Sequence, residues 1–148
     1  MSFNFQEALT TGAEQAQIKE DNSKIINDIL KDFCDNIIKF TGIELEIKLT
    51  YEFKGQKFNA PVSILYSALA EFSTKESQKT GYIIWSLKHP KTSNNVTLFS
   101  VKEGKSGFPV QFKTSANSTT CDSKEEIIEM LQDLASDSDL HLKLKALA

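Results

Sequence analysis

Residues 43–54 read IELEIKLTYEFK. Ile43, Leu45, Ile47, Leu49, Tyr51 and Phe53 alternate without a break with Glu44, Glu46, Lys48, Thr50, Glu52 and Lys54. In a β-strand successive side chains point to opposite faces, so a strict period of two gives one apolar and one charged face. This stretch therefore predicts an amphipathic strand laid against something apolar. The turn-like KGQK at 54–57 predicts a return strand from Phe58. Next, APVSILYSALAEFS predicts a helix, with Pro61 at its first position and Leu65, Ala68, Leu69 and Phe72 inward; VSILY also reads as strand.

Further along, GYIIWSLKH (81–89), NVTLFSVK (95–102) and FPVQFK (108–113) predict three more strands. They are divided by a Pro90/Ser/Asn turn and by residues 103–107. Upstream, the period changes to 3.6. Ile25, Ile29, Phe33 and Ile37, with Ile26, Leu30 and Cys34 beside them, form a broad stripe that predicts a core-facing helix. It ends at Thr41-Gly42. Before it, Phe5, Leu9, Ala13 and Ala16 make a thinner stripe interrupted by Gly12. The N-terminal helix is thus one long piece or two, with Asp21 or Ser23 able to cap a fresh start. Residues 1–22 read as an arm that frays, protrudes or packs on a second copy. At the other end, Ser123 and Glu126 spell a capping box before Ile127, Ile128, Leu131 and Leu134. Leu140, Leu144 and Leu147 mark a short last helix. Helix, antiparallel strands, then helices predict a single two-layer α+β domain over 1–148, with a sheet of four to five strands.

The 148 residues carry 20 acids, 17 lysines and no arginine, a composition that points to a low-GC coding genome. Lysine is a point charge and lacks the planar fork that reads guanine or grips phosphate in a bidentate way. The net charge of −3 hides a layout: −5 over residues 1–47, +6 over 48–113 and −4 over 114–148. Acidic helices flanking a lysine-rich sheet explain it, as does an electropositive sheet face open to an acidic partner. No apolar run is long enough to cross a bilayer, and the N-terminus lacks the pattern of a secretory signal. With two distant cysteines, the expectation is a cytoplasmic protein with reduced thiols.

Motifs that would carry chemistry fail on inspection. Gly104-Lys105-Ser106 ends like a phosphate loop, but Phe99 stands where its first glycine belongs, and Gly107-Phe108-Pro109 replaces the helix that must follow. The same stretch resembles the aromatic end of an RNA-binding strand motif, yet Pro109 interrupts it. Phe108, Val110 and Phe112 read as core, and the loop before them as a hairpin turn. His89 and His141 share no ligand spacing, so neither metal nor cofactor is expected. Glu44, Glu46 and Glu52 alternate with lysines as salt-bridge decoration of a wet face. Cys34 lies on the apolar stripe. Cys121 precedes a helix N-terminus beside Lys124, where a thiolate would be stabilised.

The strand 81–89 is apolar on both faces, which marks a central strand or one that meets a partner. From it and the neighbouring lysines comes a candidate interaction surface: Tyr82, Ile84, Trp85, Lys88, Lys102, Lys105 and Lys113. The functional expectation is a non-catalytic protein-binding module, of inhibitor, immunity, chaperone or accessory type, whose partner is another protein or a second copy through the N-terminal helix. The alternatives are a single-stranded nucleic-acid binder using the lysine-rich face, and an enzyme whose site assembles only in the fold.

Overall fold

A computed structural model describes residues 5–54 and 79–147. The chain forms α1 (Phe5–Thr41), β1 (Glu46–Phe53), β2 (Lys79–Lys88), β3 (Asn95–Gly104), β4 (Gly107–Lys113), β5 (Ser118–Cys121), α2 (Lys124–Ala135) and α3 (Ser138–Lys145). The return strand from Phe58 and the helix from Pro61 fall outside the described residues. The five strands form one antiparallel sheet whose spatial order matches the sequence order, β1-β2-β3-β4-β5. This is the α+β arrangement that the periodicity implies.

The N-terminal helix is one piece of 37 residues. No break occurs at Asp21; its carboxylate instead accepts from the Gln17 side chain at 2.9 Å, an i,i+4 pair on the helix surface. Residues 5–21 are exposed throughout, and burial starts at Asn22. From there Ile26, Leu30, Cys34 and Ile37 descend into the core. The helix closes at Gly42, whose positive φ of 68° suits glycine and whose N–H donates to Ile38 O at 3.2 Å. Residues 42–45 then carry the chain from the helix layer to the sheet, so β1 begins at Glu46, later than the alternation suggests.

One face of the sheet holds the core. Across it Leu87 faces Val96, Trp85 faces Phe99, Val101 faces Phe112, and Val110 faces Cys121. Between Trp85 and Ser86 the register shifts by one residue, leaving Leu98 as the extra residue of a bulge in β3. Leu98 and Phe99 are consequently both buried, although they are adjacent. The helices supply Ile26, Leu30, Ile127, Leu131, Leu140 and Leu144 to the same core, so all three lie on this side. Ser123 Oγ accepts from Glu126 N at 3.3 Å to cap α2, and the Glu126 carboxylate takes the Asp122 N–H, one residue upstream of the usual reciprocal partner.

The cover is centred on β3 and β4, where Phe33 meets Phe99 and Asn22 Nδ2 donates to Ser106 O at 2.8 Å. At the β1 edge the apolar side of the strand is thinly covered: Leu49 is 52% and Tyr51 55% exposed. The alternation correctly marks which side chains share a face. It carries no information on how far the helix layer extends across the sheet.

Cys34 is fully buried, and burial, aided by the Asp35 carboxylate, pushes its thiol from an ordinary 9.0 up to about 12. The folded state therefore holds this proton more tightly than the unfolded chain. The resulting stability is complete below pH 9 and is lost as pH rises from 9 towards 12, with a slope of about 1.4 kcal/mol per pH unit. Urea midpoints measured between pH 8 and pH 10.5 are expected to fall more steeply for the wild type than for Cys34→Ala. Parallel curves would contradict this account.

Candidate functional site

Alternation that sends Trp85, Phe99 and Phe112 into the core sends their neighbours to the opposite face, which no described helix covers. Three rows of side chains cross it. Thr50, Ile84, Ser100 and Lys113 form one row, and Lys48, Ser86 and Thr97 a second. Lys102 and Gln111 pair in the third, which Tyr82 joins from β2. Glu46 stands opposite Lys88 at the end of the β1–β2 ladder, a favourable cross-strand charge pair.

Tyr82 is the centre of a polar network on this face. Its hydroxyl donates to Gln111 Oε1 at 2.9 Å, and Lys113 Nζ lies 3.9 Å above its ring centroid. The same ammonium reaches across the sheet to Glu52 Oε1 at 2.9 Å, where Thr80 Oγ1 also donates at 3.1 Å. Lys102 Nζ is more distant, 5.7 Å from the Tyr82 ring. The Lys113 side chain can pass over β3 because Ser100, its cross-strand neighbour, is small, and Ser100 is buried although it faces away from the core. Each contact in this partly exposed network contributes at most about 1 kcal/mol. Together they hold the tyrosine ring from its hydroxyl end and from one face.

Of the residues singled out in the sequence, Tyr82, Lys102 and Lys113 are thus brought together. Ile84 sits one row away, at the middle of the face, and Lys88 lies at its end. Lys105 is exposed in the two-residue turn between β3 and β4, beside the face rather than on it. Trp85 does not belong with them. It is 5% exposed on the opposite face, its ring 5.9 Å from Phe99 and inclined by 28°. Strand parity separates it from Tyr82 and Ile84, and the helix layer covers its side. Glu52, Gln111 and Thr80 complete the network without a sequence pattern that marks them. Parity relative to Phe112 places Gln111 on the outer face, but the link to Tyr82 joins positions 29 residues apart.

The remaining chemical candidates are structural. Cys121 is buried at the end of β5, and its thiol is pushed up, first by burial and then by the Glu126 and Asp122 carboxylates. These surroundings disfavour a thiolate despite the helix N-terminus beside it. His89 Nδ1 accepts from Lys91 N at 3.1 Å and helps shape the β2–β3 turn. A ring nitrogen of His141 lies 2.7 Å from Ala135 O, with the ring edge-on to Phe40. Among the described residues no three His, Cys, Asp or Glu side chains are placed to hold a metal, and no described helix is long and apolar enough to cross a membrane. An open groove of about 510 Å³ runs between β5 and α2.

Comparisons of the chain with protein-family models, with curated proteins and with solved structures return no significant match. The reading of function rests on geometry.

Proposed function

We propose that the protein is a non-catalytic protein-binding module and that the sheet face turned away from the described helices receives its partner. The observation that carries this reading is the distribution of charge on that face. Thr50, Ile84 and Thr97 are uncharged and half-buried there, above the buried Ser86 and Ser100, while Glu46, Lys48, Lys88 and Lys102 stand around them and the Lys113–Glu52 pair crosses the Tyr82 end. Depletion of charge at the centre with a polar rim is the anatomy of a protein interface.

Nucleic-acid binding by base stacking is less well supported. Trp85, Phe99 and Phe112 are turned into the core, and the Tyr82 ring that remains already carries the Lys113 ammonium. A single strand would have to displace that lysine before a base could stack there.

The test is affinity capture from the native cell extract with wild type and with Ile84→Lys, each with and without nuclease. The expected result is a stoichiometric protein partner that survives nuclease and is lost with Ile84→Lys, while circular dichroism and melting show the variant folded. A partner retained by Ile84→Lys would move the interface elsewhere. Capture abolished by nuclease would replace the proposal with the nucleic-acid reading.

A further inference from the structure

The two edges of the sheet are finished differently. β1 carries Glu46, Lys48 and Glu52 and has a register irregularity between Tyr51 and Phe53, devices that discourage another strand from pairing there. β5 has none of these. Ser118, Thr119, Thr120 and Cys121 include no charge and no proline, and they pair with β4 in unbroken register. With β4 on one side, the backbone N–H and C=O groups that point the other way lie along the groove beside α2.

The opposite wall of that groove is a single face of α2. Glu129 and Asp133 form one row at i,i+4, and Met130 and Leu134 form a second row next to it. Glu126 and Asp137 also line the groove, but their carboxylates are engaged with the Asp122 and Asp139 N–H groups at the helix starts. Glu129 and Asp133 are exposed. Residues four apart on a helix are separated by about 6 Å along the axis, and alternate residues of a strand by about 6.6–6.8 Å. Two same-face side chains of an added strand therefore have nearly the spacing of the two carboxylates.

We propose that this groove binds an extended, lysine-bearing peptide segment by strand addition to β5. The peptide backbone pairs with the open edge, its lysine ammonium groups reach Glu129 and Asp133, and its lysine stems lie on Met130 and Leu134. The edge demands an extended chain, since only a strand satisfies donors and acceptors in alternation. The acidic wall, with no lysine among the lining residues, demands a basic one. This site is separate from the Tyr82 face of the sheet and does not depend on the role proposed for it.

The probe is a capped, fluorescein-labelled peptide of alternating threonine and lysine, titrated into the full chain at low salt and followed by anisotropy. Hydrogen exchange at residues 118–121 is measured in parallel. Three results are expected together: saturable binding with slowed exchange in β5; about fivefold weakening in Glu129→Gln/Asp133→Gln, as two exposed ion pairs allow; and at least about tenfold weakening when alternate peptide nitrogens are methylated, which removes the edge hydrogen bonds but not the charge. The Ile84→Lys variant is expected to bind the peptide as wild type does. Absence of binding up to about 1 mM overturns the proposal. So does binding indifferent to N-methylation, which would reduce the groove to a non-specific acidic patch, or binding indifferent to the loss of both carboxylates.

Discussion

A Phe99→Ala variant is expected to lose about 3–5 kcal/mol of folding stability, the range for truncating a large aromatic side chain in a packed core. Phe99 is 1% exposed, and its position makes the upper part of that range the expectation. The ring lies 5.9 Å from Trp85 on β2, 5.7 Å from Phe112 on β4 and 6.3 Å from Phe33 on α1. Deleting it opens a void where three strands and the long helix meet. Collapse into that void is opposed from every side, by the neighbouring strands and by the helix above. A small domain is stable by only about 5–15 kcal/mol in total, so the loss is a large share of the whole. Guanidinium unfolding measures it, and Trp85, the one tryptophan in the chain, reports the change through its fluorescence. A loss below about 1 kcal/mol would mean that the aromatic cluster is not the centre of the core.

The second large effect is expected at Gly107, where two costs coincide. Its φ is +96°, a conformation that side-chain-bearing residues rarely adopt. A β-carbon there would also lie 2.6 Å from the Asn22 β-carbon. That atom is fixed to the α1 backbone and cannot swing aside by changing rotamer. Gly107→Ala is therefore expected to cost about 2–4 kcal/mol, combining backbone strain with overpacking. The steric part separates out in a double-mutant cycle. Adding Asn22→Gly removes the opposing β-carbon and should recover part of the loss beyond the independent cost of a helical glycine. Strict additivity of the two changes would show that the backbone conformation alone is responsible.

How far the sequence revealed these features depended on the range of the interaction. The alternation from Ile43 to Lys54, the isoleucine stripe of α1 and the Ser123/Glu126 cap are local patterns, and each marks a real element. The four residues of β5, three of them hydroxyl-bearing, are too few to show a period, and the strand forms along the edge that β4 offers. Continuity of α1 through its polar middle was equally hidden. A stretch with candidate caps at Asp21 and Ser23 permits a restart, and only in the fold is the helix seen to run on. The partners of Tyr82 lie on β1 and β4, and the bulge at Leu98 is expressed only in the pairing of two strands. The face they make was legible as a set of outward positions. Its network was not.

The junction of Asn22 with Ser106 also bears on how the chain is made. The two residues are 84 apart in sequence, whereas each described hairpin joins strands that are consecutive in the chain. At a synthesis rate of about 5–20 residues per second, roughly 4–17 s separate their emergence. For most of that interval, once Thr41 has followed, α1 is complete while the strands that seat it are not. Ile26, Leu30, Phe33 and Ile37 remain uncovered until β3 and β4 follow, so the nascent chain presents an amphipathic helix to whatever binds such surfaces before it can present a sheet.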